Sequence, residues 1–182
     1  MSNVNFASLV VDSHQEGNPG GVYTLGVVLA KSFTAPWPVK GDITAGEITV
    51  APRIPVATKI AVYDFPDGKV EASSEKQGEP GFQSFKHNIE FMFASFSKGH
   101  QAELSKFLNA GGVFFVEMGD GLFGVVGSSK TPVYAKQSFK TGKKGGDPRG
   151  FTMKGDADGI MWDILPLSPT VAAALNFEAL PA

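Results

Sequence analysis

The sequence predicts a mainly β fold of the α+β kind, a β-sandwich or partly closed β-barrel with one flanking α-helix. Three observations carry this reading. Phe82–Phe96 alternates with a period of two: Phe85, His87, Ile89, Phe91 and Phe93 share one face, and Lys86, Asn88 and Glu90 the other. Val113–Met118 and Leu122–Gly127 are strand-like and flank Gly119-Asp120-Gly121, residues that tolerate the positive φ of a hairpin. Only Ser97–Ala110 has a firm helical stripe, made of Leu104, Phe107 and Leu108 behind a Ser97 cap.

In chain order, Met1–Gly21 reads as a polar N-terminal arm that ends in a turn, Asn18-Pro19-Gly20-Gly21. Val22–Leu29 is rich in β-branched residues and predicts a strand. Pro36 and Pro38 around Trp37 make Phe33–Gly46 a packed loop, since proline cannot donate to a ladder. Glu47–Val50 is a short strand, and Val56–Tyr63 alternates as a longer one. Asp64–Gly81, with Pro66-Asp67-Gly68 and a charged run, predicts a mobile surface loop. The Ser97–Ala110 helix ends on Gly111 as its left-handed residue, and at about a dozen residues it needs a sheet to dock on. Val133–Lys140 and Phe151–Lys154 pair across a basic loop, Asp156–Gly159 is a turn, and Met161–Ile164 is extended. Pro166 and Pro169 then end regular structure, leaving Thr170–Leu180 as a short helix or a tail laid on a neighbour.

The 182 residues fit one domain, 1–182, with a 42% apolar fraction that excludes a disordered chain. A net charge of −2 leaves no global field to gather nucleic acid. The absence of cysteine excludes disulfides and thiolate metal sites and fits a reducing compartment. Gly20–Ala30 is too short to span a bilayer, and acidic residues precede it, so neither a membrane segment nor a secretion signal is expected. Fifteen phenylalanines call for an aromatic core or aromatic subunit interfaces.

Lys140-Thr141-Gly142-Lys143-Lys144-Gly145-Gly146 lacks the spacing of a phosphate loop and is followed by Pro148 and a strand, not a helix. Lys136, Lys140, Lys143, Lys144 and Arg149 still form a positive surface. It reads as a solvated tip, as a contact for an acidic patch on a neighbouring subunit, or as a nucleic-acid contact without stacking aromatics. His14, His87 and His100 are scattered without metal-ligand spacing, and His87 reads as the point where an apolar face reaches the rim of its sheet. Asp156 and Asp158 resemble the first fragment of a calcium loop, but Ile160, Met161 and Trp162 stand where oxygen ligands would continue. No nucleophile elbow or paired catalytic carboxylates are visible, and no catalytic residue, metal or other cofactor is expected.

The order of the Phe82–Phe96 strand, the Ser97–Ala110 helix, the Val113–Gly127 hairpin and the GKKG loop leading into Phe151–Gly155 resembles the major tail-tube protein of tailed bacteriophages. More broadly it is similar to the tube proteins of contractile injection machines, over Val56 to Gly159. The Pro36–Pro38 region and the long arm depart from the minimal form of that family. The resemblance implies a structural virion protein of the tail, assembled in the host cytoplasm, whose hexameric rings stack into a tube through which DNA passes without sequence-specific binding. Its partners would be further copies of itself and other tail proteins, with no membrane. The basic loop would reach an adjacent subunit or ring, with Glu71, Glu75 and Glu79 in the other long loop as acidic counterparts. The arm and the 170–182 tail would lace subunits together. Two other readings fit the same features: a tail-completion or capsid-decorating protein, and a carbohydrate-binding β-sandwich with Trp37, Trp162 or Tyr63 in a groove.

Overall fold

The computed structural model describes residues 20–94 and 96–180. Strand β1 (Val22–Leu29) is followed by the small hairpin β2 (Ile43–Thr44) and β3 (Glu47–Ile48), then by β4 (Ala61–Tyr63), β5 (Val70–Gln77) and β6 (Ser84–Phe93). Helix α1 (Lys98–Ser105) leads to β7 (Gly112–Met118), β8 (Phe123–Val126), β9 (Tyr134–Lys140) and β10 (Gly150–Ile160), and α2 (Pro169–Ala173) closes the order. Two four-stranded antiparallel sheets result, one in the order β4-β1-β7-β8 and the other β5-β6-β10-β9. Among the described residues each sheet is open, so the fold is mainly β with no closed barrel there.

The two sheets share one core, with Leu25, Val27, Phe114 and Val116 of the first facing Ile89, Phe91, Phe151 and Met153 of the second. The other face of the first sheet is also buried. Val28, Val113, Phe115 and Val125 pack there against Trp37, Ile48, Ile60, Leu167 and Val171. Burial on both faces explains why β7 reads as an unbroken apolar run, Gly-Val-Phe-Phe-Val, with no alternation. The molecule therefore has three layers: the second sheet, the first sheet, and a layer of loops and C-terminal chain.

Trp37 sits in that third layer with no exposed surface, stacked between Phe33 and Phe115, its indole donating to the Val50 carbonyl at 2.8 Å. The Asp42 carboxylate holds the loop around it, accepting from Arg53 at 2.5 and 2.7 Å and from the Val39 amide at 2.9 Å. Burial alone would raise the Asp42 pKa, but these Arg53 and Val39 hydrogen bonds hold it below the usual carboxylate range.

Several expectations are corrected. Val56–Tyr63 is a strand only over its last three residues; a turn at Pro55–Thr58 leaves Val56 fully in solvent. Asp64–Gly81 is not a loop throughout, because β5 occupies eight of its residues and pairs with β6 along its whole length. The helix stops at Ser105, and the left-handed residue after it is Asn109, not Gly111. Asp156–Gly159 is no turn: β10 runs through it with a bulge between Ala157 and Ile160, where Gly159 takes φ +80°. Met161–Ile164 bends, and Pro169 opens α2 at its first turn.

The C-terminal chain lies on its own subunit. Leu165–Leu167 bonds along the outer side of β8, through Val125 to Leu165 and Leu167 to Phe123. Residues 176–178 bond to Ile60, just ahead of β4. The C-terminal chain thus borders β8 along its length and reaches the β4 side at Ile60. Of the arm 1–21, only Gly20 and Gly21 fall within the described residues.

Candidate assembly surface

The second sheet differs from the first in two ways. Among the described residues its outward face carries no further layer, and none makes a backbone hydrogen bond to the outer side of β5 or of β9, although Val133, just ahead of β9, exchanges two with Gly112 of β7. Alternation along β6 places its apolar residues inward and Lys86, Asn88 and Glu90 outward. The ladder registers then define outward rows. One runs Glu71–Glu90–Lys154–Lys136 and the next Ser73–Asn88–Asp156–Tyr134.

In the first row the inner two charges satisfy each other, Lys154 to Glu90 at 2.6 Å. The outer two do not. Glu71 stands opposite Glu90 and Lys136 opposite Lys154, like charges face to face on the ladder. Glu75 is opposite Lys86, whose ion pair goes instead to Asp156 at 3.7 Å. Among the described residues, Glu71, Glu75, Lys136 and Lys140 take part in no ion pair.

The sequence-derived surface residues therefore separate cleanly. Glu71 and Glu75 share the outward face of edge strand β5, while Glu79 lies beyond it in the turn into β6. Lys136 and Lys140 share the outward face of the opposite edge strand, β9. Lys143 and Lys144 occupy the hairpin tip, and Arg149 immediately precedes β10. The acidic and basic groups lie at opposite borders of one sheet, so they do not meet within a subunit. What the sequence reading missed is β5 itself. A spacing of four between Glu71 and Glu75 is an even number and puts both on one strand face, but the inward partners Ala72 and Ser74 are too small to announce alternation.

The basic hairpin is closed on itself. The Lys143 and Lys144 amides donate to the Asp147 carboxylate at 2.8 and 3.3 Å, and the Asp147 amide donates to the Lys144 carbonyl at 2.9 Å. A nest of amides that could cradle an anion already holds the loop's own carboxylate. The lysine side chains around it remain exposed.

The helix-packing residues divide. Leu104 and Phe107 are buried, but Leu108 is 79% exposed. After Ser105 the amides of Lys106, Phe107 and Leu108 bond three residues back, to Glu103, Leu104 and Ser105. That tighter winding turns Leu108 off the apolar stripe.

A cleft of about 900 Å³ lies beside α1, lined by Tyr63, His100, Glu103 and residues 178–180 among others. Burial, with Glu103 alongside, raises the Tyr63 phenol far above its usual range, and the phenol donates to Glu103 at 3.3 Å. The Ser97 hydroxyl lies 2.7 Å from His100 Nδ1 and accepts from the His100 amide, the geometry of a helix cap. Among the described residues no carboxylate is hydrogen-bonded to His100. Of the aromatics expected in a sugar groove, Trp37 and Tyr63 are core residues and only Trp162 is partly exposed.

His87 is not at a rim. It has no exposed surface and joins three elements: its Nδ1 accepts from the Gly127 amide after β8 at 3.2 Å, and its Nε2–H donates to the Trp162 carbonyl at 2.9 Å.

No family model, curated protein or solved structure matches the chain. No helix among the described residues is long and apolar enough to cross a membrane.

Proposed function

We propose that the protein is a structural subunit that completes its second sheet with further copies of itself, forming hexameric rings that stack into the tail tube of a bacteriophage and pass DNA. The observation that carries this reading is that, among the described residues, neither border strand of the second sheet, β5 or β9, has a backbone partner on its outer side, whereas the C-terminal chain bonds along β8 of the first. Uncovered strand edges favour pairing with another chain, and closure around an axis removes them.

The layering indicates which face would look inward. One side of the second sheet bears the first sheet and the loop layer; among the described residues the other is bare. When sheets join into a ring, the bulky side needs the larger radius, so the bare face lines the channel. Its paired rows set Glu71, Glu75, Glu90 and Asp156 against Lys86, Lys136, Lys140 and Lys154. A wall of balanced charge lets a polyanion slide without the counterion release that makes binding tight.

Negative-stain electron microscopy of the concentrated protein tests the proposal. Rings or tubes with a central channel are expected; monomers alone, at high concentration and in native particles, would refute it.

A further inference from the structure

The second sheet ends in β5 on one side and β9 on the other. β5, β6, β10 and β9 alternate in direction, so β5 and β9 run oppositely. A neighbouring copy that extends the sheet therefore brings its β5 antiparallel to β9, as an antiparallel ladder requires. We infer that β9 of one copy pairs with β5 of the next so that Lys140 faces Glu71 and Lys136 faces Glu75. This rests on the reading of the chain as a self-assembling subunit.

Overlap, face and charge select this register together. β5 spans Val70–Gln77 and β9 Tyr134–Lys140, so two alignments pair every β9 residue with a β5 residue, and of these only this one sets outward residues opposite outward residues. It also gives each unmatched carboxylate an ammonium partner on the same face, while small Ala72 meets the ring of Phe139 on the other. Continuing the row straight, with Lys136 against Glu71, would pair only four residues of β9, Tyr134–Gln137. Pairing either border with its own kind would set Glu beside Glu or Lys beside Lys, which opposes a two-fold dimer and favours a head-to-tail contact.

The chosen register lies four residues from the straight row, about 14 Å along the strands for about 19 Å across four of them. The corresponding tilt of about 35° falls within the range of closed β-barrels. The stagger that matches the charges is thus of the size that closure needs.

Two experiments test the inference. Glu71→Lys with Glu75→Lys makes one variant with lysines on both borders, and Lys136→Glu with Lys140→Glu makes another with glutamates on both. Each, shown to be folded by circular dichroism, is expected to lose assembly about tenfold or more, and an equimolar mixture is expected to recover it. Because the wild-type chain has no cysteine, and β5 and β9 lie about 14 Å apart within a subunit, a disulfide between them must join two copies. Glu75→Cys with Lys136→Cys is expected to give an oxidised ladder, and Glu71→Cys with Lys136→Cys is not. Ring-forming wild type whose reversal variants still assemble, whose mixture fails to recover, or whose cross-link appears only in the second pair would overturn the inference while leaving ring assembly standing. A wild type that never assembles overturns both.

Discussion

At the scale of single residues, His87 is the most consequential buried group. Burial lowers its pKa below the ordinary value, and the Gly127 amide aimed at Nδ1 requires that nitrogen to stay unprotonated. Asp163, near the ring, opposes that shift, as does the Trp162 carbonyl, but burial prevails. A lowered folded-state pKa means that His87 contributes fully above the unfolded imidazole value of about 6.5, and its contribution is lost as pH falls below that toward the folded pKa. Melting temperature is expected to fall with acid in that window, and His87→Gln, though less stable at neutral pH, is expected to show a shallower slope there. Gly150 is a second fixed point, where a β-carbon would overlap the carbonyl oxygen of Phe93. Gly150→Ala is expected to cost about 3 kcal/mol in chemical denaturation, because backbone must move to admit it.

At the scale of elements, the third layer is held by few, identifiable contacts. Asp42→Ala leaves Arg53 without its partner and releases the loop over Trp37; a cost of about 2 kcal/mol is expected, between a buried and an exposed ion pair because Arg53 is about one-third exposed. Phe177, tilted against Phe123 at 5.5 Å and lying over Gly26, covers the chain just ahead of β4. Phe177→Ala is expected to cost about 2 kcal/mol, less than the loss at a fully buried phenylalanine, and to speed proteolysis near Ile60. The sequence makes some of this visible and hides the rest for physical reasons. β6 is legible because large apolar residues alternate with charges, and the β7–β8 hairpin because Gly121 takes the left-handed turn conformation. β5 is obscured because its inward positions include Ala72 and Ser74, and β10 is read as broken because its bulge resembles a turn. The charged positions were readable as residues, but their division between two borders of one sheet depends on long-range pairing that no local pattern encodes.

At the scale of the whole molecule, the proposed association falls on the second sheet, whose border strands β5 and β9 have no backbone partner on their outer sides among the described residues. If matched charges set that association, assembly measured by sedimentation velocity is expected to weaken as ionic strength rises from about 0.05 to about 0.5 M, because screening shortens to a few ångströms. Salt-insensitive assembly would point instead to apolar contacts such as Phe96 with Phe139, both partly exposed. The covering chain has a temporal implication too. Leu165–Glu178 is translated after every strand of either sheet, so a nascent chain leaving the ribosome displays the outer side of β8 before that stretch can border it. Neighbouring nascent chains on one messenger are therefore most at risk of mispairing in that interval, and a slow final stretch of synthesis would prolong it.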